Sequence, residues 1–275
     1  MWFMVIRCLS PIGIIAVALM LLGCGKEEPV DPPVDSMKFE GQYYLEVANT
    51  NDLKDIFTGN ITQSLSGDFS IEVWAAGGST LPTQALAIFM AGNNNGGNEI
   101  GIYQGAYDSS QVIVFIDDRA LGYFSVPGLD WRRKRMHHLC LVRNGEIVTF
   151  YFDGDLLGMQ IIANLKVDIQ SSHILFGADY DPPGLNSNVG NLWVGYLDEI
   201  RLWSKALTSR EVHFRAHHPD KLMEHYSVDD LLKIKGLWRF DHSVNGAIPD
   251  ESGNANHARL RGASTTIIWD TFGAH

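Results

Sequence analysis

Six side-chain oxygen donors crowd one short stretch, "ADYDPPGLNSNVGN": Asp179, Asp181, Asn186, Ser187, Asn188 and Asn191. Carboxylates and amide carbonyls are the hard ligands that calcium gathers in sixes to eights. They are also the residues of a tight turn, because Asp, Asn, Pro and Gly each favour turn geometry. The stretch therefore reads as a polar turn, or as a cation site that in turn holds a ligand. Tyr103, Tyr107, Tyr180 and Trp193 are aromatic and lie in or near polar loops. An aromatic plane fits the apolar face of a sugar ring, while the alternative for each is a place in the core or at its rim. "RRKRMHH" at 132–138 gathers four cations and two histidines. It is either a binding patch or a solvated loop ahead of a strand.

Signatures of catalysis are missing. No glutamate is followed two residues later by an aspartate, so the alternating carboxylate strand of β-glucan hydrolases is absent. There is no Gly-x-Ser-x-Gly elbow and no His-Glu-x-x-His helix. A net charge of −11 over 275 residues repels nucleic-acid phosphates and argues against a DNA or RNA partner. Three cysteines, two of them near the start of the chain, rule out a disulfide framework; Cys140 in "HLCLV" reads as a small buried hydrophobe.

Strands must position these groups. "DFSIEVWAAG" alternates Phe69, Ile71 and Val73 with Ser70, Glu72 and Trp74. "HHLCLVRNGEIVTFYFDGDLLGMQII" reads as two successive hairpins, with Asn144-Gly145 and Asp153-Gly154 at the turns. In "VGYLDEIRLW" the alternation places Asp198 on the face of Ile200 and Leu202, where a carboxylate has to be paired or coordinated. Glu199 and Arg201 then share the other face as a solvent-side ion pair. Helical signals are few. "LTSREVHFRAHH" carries a capping box, Thr208 with Glu211, and "SVDDLLK" predicts a second short turn. The pattern implies an all-β chain: a two-sheet antiparallel jelly-roll sandwich with one or two short helices near the C-terminal end.

The first residues read as an address. Arg7 precedes an apolar run that is short for a membrane span, and polar residues follow at once. "LLGC" resembles a bacterial lipobox. The resemblance implies a signal peptide over 1–23, lipidation of Cys24 and an acidic, proline-rich linker over 24–36. "KEE" just after Cys24 resembles the export signal of Bacteroidetes surface lipoproteins. Together these imply lipid anchoring in a bacterial outer membrane, exposed at the cell surface.

Residues 37–275 resemble the laminin-G-like and pentraxin-like domains of the concanavalin A-like lectin superfamily. Five blocks carry the likeness, in order: "MKFEGQYYLEVANT", "FSIEVWAAG", "MHHLCLVRNGEIVTFYFDGDLLG", "VGYLDEIRLWSKALTSREV" and "GLWRFDHSVNGAIPDESGNANHARL". Carried over from pentraxins, the resemblance implies Ca2+ ligands at Asp179, Asp181, Asn191 and Asn98. Gly97 stands where the family has a further aspartate, which implies a weak site. "PDESGNANH" resembles the family's acidic Ser-Gly-Asn turn. It suggests a second cluster of Asp198, Asp250, Ser252 and Asn254, as a structural cation site or as a hydrogen-bonded network. The resulting expectation is a non-catalytic binding module for an extracellular glycan, with Tyr103, Tyr107, Tyr180 and Trp193 as ligand-binding aromatics. The alternative is a structural or adhesive module that contacts a surface protein; a glycoside hydrolase of the same fold stands third.

Overall fold

The computed structural model describes residues 35–271 apart from 49–66, 93–99, 118, 166, 168–172, 182–187, 220–227 and 264–265. The described residues fall within one compact unit, Pro33–His275. Cys24 and Asn98 lie outside the described residues. Among the described residues no helix is long and apolar enough to cross a membrane.

Strands are numbered along the chain. The first sheet runs, edge to edge, β10 (Asp155–Ile161), β9 (Ile147–Phe152), β8 (His137–Asn144), β3 (Phe69–Gly77), β14 (Val194–Trp203), β1 (Ser36–Glu40) and β18 (Ile268–Asp270), with β15 (Ile234–Trp238) also paired to β14. The second runs β16 (Ala247–Ile248), β17 (Ala258–Gly262), β2 (Tyr43–Ala48), β11 (His173–Phe176), β4 (Leu86–Ala91), β5 (Ile100–Gln104), β6 (Gln111–Ile116) and β7 (Arg119–Ser125). A separate ribbon pairs β12 (Asp179–Asp181) with β13 (Asn188–Gly190). The pairings are antiparallel throughout, as the hairpin signals imply. At the predicted turns, Asp153 and Gly154 both take positive φ (49° and 85°), while at Asn144-Gly145 only the glycine does (60°).

Alternate side chains of both sheets meet in one core. Phe69, Ile71 and Val73 of β3 share it with Phe89 of β4, Ile102 of β5 and Phe176 of β11. The other face of the first sheet is covered as well. Helix α1 (Ser209–His217) starts at the predicted capping box, Thr208 with Glu211. Leu207 and Val212 pack on Cys140, Val142, Tyr151 and Trp203 of that outer face. A second short helix, α2 (Val228–Leu231), precedes β15. Gly154 permits the close seat of α1: a Cβ there would lie 3.0 Å from Ala216 Cβ and from His213 Cα.

Beneath α1 lies a buried charge cluster. Glu72 is fully buried; its Oε2 accepts from Trp203 Nε1–H (2.6 Å), and its Oε1 lies 3.2 Å from His138 Nε2. Arg215 of α1 sits 3.8 Å from the same carboxylate and stacks on Trp203, 4.6 Å from the ring centre. Burial pushes the Glu72 carboxyl up, but Arg215, the His138 hydrogen bond and Arg201 outweigh it and hold the group at about 2. Burial also lowers His138 and raises Cys140. Glu72, His138 and Cys140 lie close enough to share an ion. The two arginines supply the positive charge instead, which disfavours a metal there.

One sequence expectation fails on this face. The ladder between β14 and β3 shifts between Asp198 and Arg201, and Glu199 takes φ 45°. The extra residue of this bulge reverses the alternation. Ile200 and Leu202 enter the core, while Asp198 stands opposite Trp74 on the outer side. The predicted Glu199–Arg201 pair exists (2.6 Å), but it is buried rather than solvent-facing. Arg201 is fully enclosed, lies over Trp74 and donates to the Pro219 carbonyl.

Candidate functional site

Among the described residues no helix packs on the outer face of the second sheet. On it Ala87, Tyr103 and Ile113 form an apolar cluster with Phe115, side by side across β4, β5 and β6. Gly101 makes room for the row: a Cβ there would lie 2.3 Å from the Tyr103 ring. Tyr103 meets Phe115 edge to face at 5.8 Å, and Phe115 meets Tyr123 of β7 the same way at 6.0 Å. The row ends in the open, since Tyr123 is 62% exposed. With neighbouring strands about 4.8 Å apart, β4 to β7 spans about 14 Å, the length of a short oligosaccharide.

The β12–β13 ribbon meets the other end of this row. Val189 and Leu192 pack on Met90 and Leu175 of the same face. The Ala87 N–H donates to the Asn191 carbonyl (2.8 Å), which fixes Asn191 beside the start of the aromatic row. Asn191 takes φ 51° and turns its Nδ2 to Asp179 Oδ2 at 3.3 Å. Asp179 is buried at this junction. Further across the face, Arg261 of β17 pairs with Glu46 of β2 at 2.6 Å. Burial, then the Glu46 charge, raises the neighbouring Tyr44 hydroxyl.

The structure thus brings Asp179 and Asn191 together. Asp181 and Tyr180 lie on β12, in register with Asn188 and Val189. Two of the four predicted aromatics do not offer a ring to solvent. Trp193 is wholly buried in the core, edge to face with Trp131 at 5.9 Å. Its main-chain N–H donates to Gly177 O, and this turn directs the indole inward. Tyr103 is 4% exposed, its ring held among Gly101, Ala87, Ile113 and Phe115. Tyr107 is 73% exposed, in the turn between β5 and β6. The sequence does not single out Tyr123 and Phe115. The alternation of "VIVFI" and "GYFS" was the available signal, but it does not tell which face will stay open.

The second oxygen cluster resolves into a hydrogen-bonded turn. Asp250 Oδ1 accepts from the Leu237 and Ser252 amides and Oδ2 from the Asn256 amide, all at 2.9 Å. Asn254 donates to Ser252 Oγ and to Ile234 O. Three main-chain donors already engage the Asp250 carboxylate, which favours the network over a cation. Asp198 accepts from the Glu199 amide. Most of the basic run is tied down piecemeal: Arg132 and Arg133 pair with Asp130 and Lys134 with Asp270, while the His137 and His138 rings lie within hydrogen-bond reach of Asp153 and Glu72. That dispersal argues for anchoring contacts rather than one cationic patch.

Two eight-stranded sheets with this connectivity define a concanavalin A-like jelly roll. Residues 43–213 match the family Laminin_G_3 of the concanavalin A-like lectin/glucanases superfamily, and the chain belongs to that family. Among solved structures it is similar to a carbohydrate-binding protein, so described, from Bacteroides ovatus: TM-score 0.60, 15% identity, 87% of this chain and 60% of that one. It is also similar to the native heptameric SAP-like pentraxin of Limulus polyphemus: TM-score 0.50, 16% identity, 68% and 83% covered. A third is the CBM40 of Ruminococcus gnavus IT-sialidase bound to α2,3 sialyllactose: TM-score 0.50, 10% identity, 67% and 98% covered. At such identities the likeness speaks for the fold alone. No curated protein sequence matches the chain.

Proposed function

We propose that the chain is a non-catalytic glycan-binding lipoprotein of a bacterial cell surface. Its ligand lies along the outer face of the second sheet, from Asp179 and Asn191 to Tyr123. One observation carries the reading: the Ala87–Asn191 main-chain bond seats a carboxylate and an amide at one end of an aromatic row whose other end is exposed. Polar groups fix the sugar hydroxyls, and the open tyrosine stacks on a ring face. Carbohydrate-binding proteins among the fold neighbours agree with this reading.

Calcium assistance is part of the proposal. Asp179 and Asn191 supply oxygens to one spot, and Asp181 and Asn98 are the further donors the sequence offers. Asn191 now points its nitrogen at Asp179, so both serve one ion only after the amide flips. A glycan array probed with the chain, with and without millimolar calcium, tests the function. Binding to a defined sugar class, weakened about tenfold in Tyr123→Ala, is the expected result. Calcium should raise the melting temperature, and Asp179→Asn should cancel that rise. An array with no hit, or hits indifferent to Tyr123→Ala, would overturn the glycan reading; a chelator-insensitive melt would remove the ion.

Anchoring is tested separately. In Cys24→Ala, incorporation of labelled palmitate and membrane retention should both be lost. Unchanged labelling would refute a lipid at that residue.

A further inference from the structure

α1 covers only part of the first sheet's outer face. On the uncovered part, strand β10 shows Leu156, Met159 and Ile161 at 62%, 60% and 73% exposure, with Ile147 of β9 beside them at 40%. They share one side because the β10–β9 ladder sets Leu156, Met159 and Ile161 opposite Tyr151, Thr149 and Ile147. Most residues packed under α1 are on this same side, so the stripe extends an otherwise buried surface into solvent. β10 is also the edge of its sheet. Natural edges are usually blunted by lysine, proline or an inward charge. From Leu156 to Ile162 the sequence is "LLGMQII", with no charged residue and no proline. One blunting device is present, the bulge between Leu156 and Gly158, and it leaves Gly158 to Ile161 as a regular ladder.

We propose that β10 pairs antiparallel with β10 of a second copy of this chain, across a two-fold axis at Gln160. The free edge calls for a partner that is itself an extended strand, and each copy brings one. In that register Met159 of each copy lies beside Ile161 of the other, on the outer face. Gln160, whose side chain is already turned inward to donate to Leu121 O (2.9 Å), sits at the axis without obstruction. Charge selects the place of contact. Each copy carries −11, so two copies repel overall and least where uncharged surface meets uncharged surface, and Leu156 to Ile162 carries no charge. Asp155 falls outside the paired segment, so no like charges oppose one another. The contact is short beside the roughly 800 Å² per partner of a standard interface, so dimerisation is weak and concentration-dependent. It leaves the outer face of the second sheet free, so two copies present two copies of that face to a repeating ligand.

Oxidative cross-linking of the full chain tests the pairing. Gln160→Cys should give a covalent dimer under mild oxidation, well above the level from Leu232→Cys, an exposed control on another surface. Adding Met159→Lys to Gln160→Cys should abolish that dimer, with an unchanged circular-dichroism spectrum and melt. Sedimentation equilibrium of the otherwise native chain, in detergent to mask the apolar leader, should show mass rising towards a dimer, and Met159→Lys should remove the rise. Gln160→Cys yields no greater than those of Leu232→Cys would overturn the proposal. So would self-association that survives Met159→Lys.

Discussion

Glu72→Ala should lower the unfolding free energy by roughly 3–5 kcal/mol, because it leaves Arg215 buried without its counter-charge. The same change removes the acceptor of the Trp203 indole and the partner of His138. The double variant Glu72→Leu/Arg215→Met should recover most of the loss, since apolar side chains of similar size replace buried ion pairs at little cost. The pH profile checks the sign. Glu72 is held at about 2 in the folded chain against an ordinary value of 4.5. Its stabilisation is complete above the ordinary value and is lost as pH falls from there through about 2. Wild type and Glu72→Gln should therefore differ most above pH 4.5 and converge in acid. His138, whose folded value is lowered by burial, adds a dependence of the same sign below its ordinary 6.5. Glu72 itself holds His138 up against that burial, so Glu72→Gln lowers His138 further, and the difference between the two curves reads the Glu72–His138 pair together. Equal melts of wild type and Glu72→Ala at neutral pH would show that the cluster holds nothing together.

How far the sequence could be read depended on how local the cause was. The hairpin at Asp153-Gly154 and the capping box at Thr208 are fixed within four residues, and both are present. The sandwich follows from alternation repeated over many strands, so single errors cancel. The Asp198 side was misjudged because one inserted residue at Glu199 inverts the alternation, and nothing in "LDEIRLW" announces a bulge. Glu199 with Arg201 reads as a surface pair by composition. It is enclosed because Trp74, Arg239 and the Pro219 carbonyl, distant in sequence, close over it. Glu72 illustrates the same limit. A glutamate alternating with core residues belongs on an outer face, but only the fold reveals that α1 roofs it. The Asp179–Asn191 pairing was legible as an oxygen-rich loop. Tyr123, at the far end of the same row, was not, because β7 is joined to β4 only through two intervening strands.

Trp193→Ala should destabilise the whole fold by roughly 3–5 kcal/mol, rather than remove one sugar contact from an intact protein. Its neighbours invite the opposite expectation, because Asn191 two residues earlier is a site residue and indoles often stack on sugars. Burial decides: the side chain has no exposed surface, and its ring closes on Trp131, which is equally buried. Deleting the indole opens a cavity between two sheets that other large side chains already hold apart, so neighbours collapse only in part. Two main-chain bonds hold the backbone here, Trp193 N–H to Gly177 O and Gly41 N–H to Trp193 O, both 2.9 Å. They survive the substitution, so the loss is a packing loss. Trp193→Phe should restore about half of it by refilling part of the volume. Calorimetric melts of the three forms measure the stability, and glycan binding well below each melting temperature measures the site. Tyr123→Ala should show the reverse pattern, an unchanged melt with weakened binding. A Trp193→Ala protein with a native melt and selectively abolished binding would return the indole to the ligand face and undo its assignment to the core.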